Sequence, residues 1–369
     1  MGMTEPIQPE VLVRQVESLA GDLAEHAGPV GEQAGGLLTA QEWAGTGTVY
    51  LTGDGDSYHA ACAAEMAFES LAGAVCEPLS ALRFGEYCAP WLGQGTAGRP
   101  LLIAVSASGS TQAVVRAVEA ARRRGALTIA ITGAPGGPVP QAADRAVVVE
   151  LTRPERSPGV RTYQASLLGL LLIAIRLGEA RGQYAQQRAC ALREELSVLA
   201  GAVAATTSAI KDRCREVAGI AATSPVLAMT GSGPSYGTAL FAAAKMTEAA
   251  GVFAAGQDLE EWCHVETNAC PDTMPVFVIA PPGRSRWRAA ALAATAREQG
   301  RQVIAVVDED DTGLAACSSA VLPVRGQVRE EFSPLLYHLF AGYVGSYLAE
   351  RLNRLPLRSG RVAAGALKR

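Results

Sequence analysis

The sequence predicts an α/β protein made of two similar domains, each built on a parallel β-sheet. Short apolar, β-branched segments alternate with Ala- and Leu-rich segments of helical spacing, and the first half of the chain can be overlaid on the second. Alternation of strands and helices is typical of a parallel sheet whose crossover connections are helices. Similarity between two halves at a fixed offset indicates duplication of one structural unit.

Eight strands are predicted, four in each half. They cover residues 48–52, 101–105, 127–131 and 146–149, then 226–230, 276–280, 303–307 and 320–323. A shift of 178 residues places GDGDSY at 53–58 on GSGPSY at 231–236. A shift of 175 residues places 101–105 on 276–280 and 125–132 on 300–307. Three blocks in the same order at nearly one offset indicate an internal duplication.

Four regions follow from this pattern. We predict an N-terminal helical segment (1–40), a first domain (41–210), a second domain (211–350) and a C-terminal tail (351–369). Residues 178–222 connect the two copies and have helical spacing, with Leu192, Leu196 and Leu199 on one apolar face.

Composition and charge exclude several classes of protein. The chain has 369 residues and a formal net charge of −4, so it lacks the basic footprint of a nucleic-acid-binding protein. Its longest uninterrupted apolar run, 167–175, is well short of the roughly 20 residues that cross a bilayer. No secretory signal is visible, so we expect a cytoplasmic protein with neither a nucleic-acid partner nor a membrane span. The eight cysteines form no CxxC pair and the four histidines have no metal-ligand spacing, so no metal site is expected.

The strongest local signal is a cluster of hydroxyl groups between a strand and a helix. Its residues are Ser106, Ala107, Ser108, Gly109, Ser110 and Thr111. Hydroxyls, a glycine and free N–H groups at a helix N-terminus favour an anion, and phosphate is the expected ligand. Alternatively, Ser110 and Thr111 only cap the helix. The equivalent loop of the second copy, Pro281–Arg286, contains prolines that cannot donate N–H groups, so one phosphate site per chain is predicted.

A second signal is the pair Lys245 and Glu248. Their spacing of three places both side chains on one face of a predicted helix. A carboxylate that shares a cleft with a cation can act as a general base. An ordinary surface ion pair is the alternative.

Together these motifs resemble the tandem sugar isomerase (SIS) domains found in the isomerase half of glucosamine-6-phosphate synthase. The resemblance covers nearly the whole chain from about residue 8. It implies two SIS domains related by internal duplication, each a flavodoxin-like three-layer sandwich with a parallel sheet flanked by helices. It also implies that Ser57, Ser80 and the loop 106–111 bind a phosphorylated sugar.

The resemblance further assigns the catalytic residues. It implies that Glu248 is the base, with Lys245 three residues before it on the same helix. It implies that His264, assisted or oriented by Glu261, opens the sugar ring in the neighbouring subunit. A homodimer with a shared active site is therefore expected, with no cofactor.

Several positions depart from the synthase pattern. The sequence begins at the isomerase half of the synthase pattern, so we expect it to act without a glutaminase domain. The segment that carries the synthase's Schiff-base lysine contains Arg358, which cannot act as that nucleophile. Lys368, beside the C-terminus, is expected to be frayed rather than catalytic. Arg161 replaces a small residue and Asp56 replaces a hydroxyl, and we expect both to contact a substrate that differs from fructose 6-phosphate.

The predicted function is that of a sugar-phosphate enzyme. It would catalyse aldose–ketose isomerisation or deamination of an amino-sugar phosphate, as a deglycase-like enzyme does, through an enediol or enolamine. The alternative is a non-catalytic sugar-phosphate sensor, for which the phosphate loop alone would suffice.

Overall fold

The computed structural model describes residues 5–94 and 97–359, which form two five-stranded parallel sheets. The strands of the first sheet are β1 (Thr46–Gly53), β2 (Cys76–Ser80), β3 (Arg99–Val105), β4 (Leu127–Thr132) and β5 (Arg145–Val148). Those of the second sheet are β6 (Val226–Thr230), β7 (Phe253–Gln257), β8 (Val276–Ala280), β9 (Val303–Asp308) and β10 (Ala320–Val324). The strand orders β2-β1-β3-β4-β5 and β7-β6-β8-β9-β10 are the same, so the predicted α/β class with two duplicated parallel sheets is confirmed.

Helices cover both sheets and join them. The long ones are α1 (Glu10–Gly36), α3 (Asp56–Ser70), α4 (Gln112–Arg123), α6 (Arg161–Ala180), α7 (Gln186–Ala221), α8 (Pro234–Ala250), α10 (Arg286–Glu298) and α13 (Leu339–Arg351). The short ones are α2 (Ala40–Ala44), α5 (Pro138–Ala142), α9 (Leu259–His264), α11 (Thr312–Ala316) and α12 (Pro334–Tyr337).

The duplication extends to backbone conformation. Gly55 and Gly233, which precede α3 and α8, have φ of 56° and 58° and ψ of −129° and −131°. Gly53 and Gly231, which lie two residues before these glycines, are also equivalent in the overlay. An added Cβ at Gly53 would lie 2.7 Å from Cβ of Ser57, and one at Gly231 would lie 2.7 Å from Cβ of Ser235. Glycine is therefore required at equivalent points of both copies.

Two strands were not predicted, and both lie at sheet edges. β2 pairs only with β1, and β7 pairs only with β6. The sequence of β2 contains a proline and a glutamate and that of β7 contains a glycine, so neither forms the apolar run by which the interior strands were recognised.

The connection between the domains is helical, as the spacing of residues 178–222 predicts. The boundary placed between residues 210 and 211 falls inside α7, which runs without a break to Ala221. The predicted N-terminal helical segment contains α1, which packs against α6, α7 and α13 and so contributes to the shared core.

Helix α6 lies in the middle of that core. By length and composition it could cross a membrane, a property that the longest uninterrupted apolar run did not reveal. However, 83% of its most apolar window is buried, and it packs against α1, α3 and α7. This is the environment of a core helix.

Candidate active site

The site lies at the carboxyl ends of β1 and β3, where the strand order of the first sheet reverses. Chains leaving adjacent strands at such a switch point diverge and open a crevice that commonly binds ligands. The turn at 53–58 follows β1, and the loop at 106–111 follows β3. The two sequence motifs of the first copy therefore lie side by side.

Hydroxyl groups of the loop 106–111 pair with each other. Oγ of Ser106 lies 3.2 Å from Oγ1 of Thr111, and Oγ of Ser108 lies 3.0 Å from Oγ of Ser110. Ser106 is buried at the base of the loop, whereas Ser108 and Ser110 are exposed. Gly109 has a φ of 64°, and an added Cβ would lie 2.9 Å from the carbonyl oxygen of Ala134, so the loop requires glycine here.

The Thr111 side chain does not cap helix α4, which was the alternative to phosphate binding. Thr111 is the residue before α4, and its side chain accepts no hydrogen bond from the first turn of that helix. The first-turn N–H groups of an α-helix have no partner within the helix. The hydroxyls and these N–H groups can therefore converge on one anion.

Ser57 and Ser80 lie at the same carboxyl edge of the first sheet. Ser57 lies in the first turn of α3, and Ser80 ends β2 beside Gly53. Both residues are half-buried. The carboxylate of Asp54 accepts a hydrogen bond from the N–H of Ala81 at 3.2 Å and so ties the two chain segments together.

Helix α8 of the second copy brings Lys245 to this crevice. The Lys245 side chain has no exposed surface, and its Nζ donates to Oδ2 of Asp56 at 2.6 Å and to Oε2 of Glu248 at 2.5 Å. A third hydrogen bond, 3.1 Å long, joins Nζ to the carbonyl oxygen of Gly159. The predicted pair Lys245–Glu248 thus exists, but its partner across the domains, Asp56, makes it part of a larger cluster.

Charges in this cluster stabilise one another. Burial alone would lower the pKa of Lys245, but the Asp56 and Glu248 carboxylates outweigh burial and raise that pKa above its usual value. Burial alone would raise the pKa of Asp56, but the Lys245 ammonium, helped by His59, holds it below its usual value. Lys245 and Asp56 are therefore both charged at neutral pH.

Glu248 also borders a cavity of about 910 Å³ between the end of α8 and the chain that follows α13. The Glu248 side chain is 35% exposed, and Arg354 and Arg358 line the same cavity. Nη1 of Arg354 donates to the carbonyl oxygen of Ala250 at 2.8 Å and so holds this segment against α8. Lys368 lies outside the described residues.

His264 and Glu261 lie elsewhere on the chain. Both are exposed on α9, which follows the edge strand β7. Nε2 of His264 lies 3.1 Å from Oε1 of Glu260, so the carboxylate that contacts the ring is Glu260 and not Glu261 as expected. Residues three and four positions before His264 both lie on its side of the helix, and it is the one four positions before it that makes the contact.

Arg161 does not face the crevice, which corrects the expectation that it contacts substrate. Its Nε and Nη2 donate to the two carboxylate oxygens of Asp22 on α1, both at 2.6 Å. Its Nη1 donates to the carbonyl oxygen of Thr152 at 2.8 Å. Arg161 therefore fastens the start of α6 to α1.

In the second copy, a carboxylate of the chain occupies the equivalent loop. The N–H of Arg284 donates to Oε1 of Glu330 at 3.0 Å. An added Cβ at Gly283 would overlap the Glu330 carboxylate, so glycine admits that side chain. A side-chain anion thus lies where the first copy has its hydroxyl-rich loop.

Comparison with known proteins identifies the class to which this fold and site belong. The SIS domain family model matches residues 44–176 and 223–333. The chain belongs to the SIS domain family, as a protein with two SIS domains. The two matches leave α7 between them, although the sequence placed the boundary inside that helix.

Individual relatives are glutamine–fructose-6-phosphate aminotransferases. The chain is 30% identical over 338 residues to that of Gloeobacter violaceus, covering 89% of this chain and 52% of the relative. It is 28% identical to that of Streptomyces coelicolor, covering 72% of this chain and 43% of the relative. The chain thus spans about half the length of these aminotransferases.

Solved structures show the same fold. The C-terminal domain of glucosamine-fructose-6-phosphate aminotransferase from Francisella tularensis superposes with a TM-score of 0.82 at 14% identity, covering 93% of this chain and 96% of that domain. Glucosamine-6-phosphate deaminase from Thermotoga maritima superposes with a TM-score of 0.69 at 18% identity, covering 92% and 94% of the two chains.

Proposed function

We propose that the protein is a cytoplasmic enzyme that isomerises or deaminates a phosphorylated sugar. The observation that carries this proposal is the position of Glu248. Through Lys245 its carboxylate is fixed to Asp56 at the start of α3, one strand away from the hydroxyl-rich loop. A loop that can bind phosphate and a carboxylate linked to the turn after the neighbouring strand are what an enolising sugar-phosphate enzyme needs.

The loop residues 106–111 would bind the phosphate, and Ser57 and Ser80 would contact the sugar. Glu248 would remove the C2 proton of the open-chain aldose to give an enediol and return that proton to C1, giving the ketose. With an amino group on C2 the same steps give an imine at C2. Water then hydrolyses the imine to the ketose and ammonia, so isomerisation and deamination share one base.

Ring opening requires a second acid–base group, and we propose that the partner's His264 supplies it. Within its own chain the His264 side chain is 69% exposed and is engaged with Glu260, which is also paired with Arg288 of α10. An exposed imidazole can both donate and accept a proton, which suits proton transfer to a ring oxygen. Glu261 would assist it across the subunit interface. No cofactor takes part in this scheme.

The base is tested by Glu248→Gln. This variant should lose hydrogen exchange at C1 and C2 while still binding sugar phosphate, because the amide keeps an acceptor for Lys245 but cannot take the proton. Exchange is followed by NMR in deuterated water with hexose and hexosamine 6-phosphates. Glu69→Gln, the same change at an exposed position of α3, is the matched control. Normal exchange in Glu248→Gln would refute the assignment.

The same set of hexose and hexosamine 6-phosphates distinguishes isomerisation from deamination. Exchange with ammonia release indicates a deaminase or deglycase, and exchange alone indicates an isomerase. Binding without exchange in the unmodified protein would instead identify a sensor.

Sharing of the site between subunits is tested by mixing Glu248→Gln with His264→Ala. Each variant alone should be inactive. Random re-association of two-fold dimers should restore about a quarter of the normal rate, because half of the dimers are mixed and each has one complete site. Absence of any recovery, with mixed dimers verified by mass spectrometry, would refute a shared site.

A further inference from the structure

Asp56 places a second carboxylate on the buried side of Lys245. The Asp56 side chain is 19% exposed, and the Lys245 side chain has no exposed surface. The Asp56 carboxylate is thus poorly placed to receive a substrate group and well placed to act on the ammonium.

Every donor of the Lys245 ammonium has an acceptor. The three N–H bonds point to Asp56 Oδ2, Glu248 Oε2 and the carbonyl oxygen of Gly159. Lys245 therefore contacts one oxygen of Glu248. The other oxygen makes no hydrogen bond within the part of the chain that the structure describes, and the side chain borders the cavity.

Two carboxylates thus share one cation. An ammonium paired with Glu248 alone would favour its ionised form strongly and make it a weak base. A second negative charge opposes that effect, because the two carboxylate oxygens that flank Nζ lie within about 5 Å of each other. We infer that Asp56 is a positioning residue that, by balancing the charge of Lys245, keeps Glu248 basic enough to remove a proton from the sugar.

Other titratable groups face this cluster from neighbouring elements. Nδ1 of His59, on α3, lies 3.6 Å from Oδ1 of Asp56. Tyr163 on α6 is close enough to Asp56 for that carboxylate to contribute to the raised pKa of its phenol, after burial. Arg354 and Arg358 border the cavity of Glu248. All of these remain unchanged in variants of Asp56, so a difference between variants reports the Asp56 charge.

The inference rests on the proposed function and is tested with Asp56→Asn, which keeps an oxygen acceptor for Lys245 and removes the charge. Rates of C1/C2 hydrogen exchange are measured from pH 5 to pH 9. Two unit charges about 5 Å apart at an effective dielectric constant of about 20 shift a titration by about two pH units. In Asp56→Asn the acidic limb of the pH profile, the range in which kcat/KM rises with pH, should therefore move to lower pH by up to about two units. The plateau value of kcat in the same variant should fall roughly tenfold, which is a part of the rate enhancement that a positioned general base provides.

Asp56→Ser serves as a second variant in case Asp56→Asn does not fold, and Glu69→Gln removes one charge elsewhere on α3. The acidic limb of the kcat/KM profile should move to lower pH in both Asp56 variants and should not move in Glu69→Gln. In all three variants KM should change less than twofold. An unmoved limb, a higher KM with unchanged kcat, or failure of both Asp56 variants to fold would overturn the inference while leaving the proposed function intact. No exchange in the unmodified protein would overturn both.

Discussion

Breaking the buried pair Arg161–Asp22 should cost stability without directly removing a substrate contact. In Arg161→Met the Asp22 carboxylate, 8% exposed as a side chain, would keep its charge and lose both hydrogen bonds from the guanidinium. Removing one partner of a buried, hydrogen-bonded ion pair costs about 3–5 kcal/mol. For a chain of this size that corresponds to a fall in Tm of roughly 4–6 °C.

The assay is thermal unfolding followed by circular dichroism, with sugar-phosphate affinity measured at a temperature where the variant is folded. The double variant Arg161→Met with Asp22→Leu should recover most of the lost stability, because apolar side chains can replace a buried ion pair at little cost. An unchanged Tm in Arg161→Met together with a large loss of affinity would refute the structural role and restore the substrate contact that the sequence indicated.

Two further predictions concern the loop and the core. Thr111→Val should leave Tm nearly unchanged, because the hydroxyl does not cap α4. It should weaken phosphosugar binding about 10- to 100-fold, the value of one hydrogen bond to a charged group. Thermal unfolding checks the stability and calorimetric titration checks the affinity, and a loss of stability alone would favour the capping role. Burial lowers the pKa of His338 to about 4. Between pH 6.5 and pH 4 the unfolded state therefore binds more protons than the folded state. The contribution of His338 to the free energy of unfolding should be constant above pH 6.5 and should fall by about 3 kcal/mol as the pH is lowered to 4. Urea unfolding at several pH values should show a flatter acid profile in His338→Phe, and identical profiles would contradict the prediction.

Interior strands could be predicted from the sequence because burial on both faces demands an uninterrupted apolar run. The predicted 226–230 and 276–280 agree with β6 and β8 at both ends. The edge strands β5 and β10 were also predicted, because they are mostly apolar. The edge strands β2 and β7 were missed, because polar residues and glycine are tolerated where one side of a strand is unpaired.

The candidate site was predictable where its chemistry is local. The spacing of Lys245 and Glu248 predicts their hydrogen bond, and the strand–loop–helix context predicts the loop at 106–111. Contacts between distant segments were not predictable. Arg161 meets a carboxylate 139 positions away, and Lys245 meets one 189 positions away, so a single sequence offers no periodicity from which to infer either partner.

The hydrogen bonds of Lys245 also indicate how the two halves of the chain would behave if they were made as separate molecules. One half of the chain holds the ammonium, and the other half holds Asp56 and Gly159. A fragment ending within α7 would keep the anion loop but lack Glu248, and the complementary fragment would keep the Lys245–Glu248 pair but lose the acceptors Asp56 and Gly159 from the Lys245 ammonium. We therefore expect the fragments to associate and recover activity together, so that gene fission within α7 would be tolerated only if both products were made in the same cell.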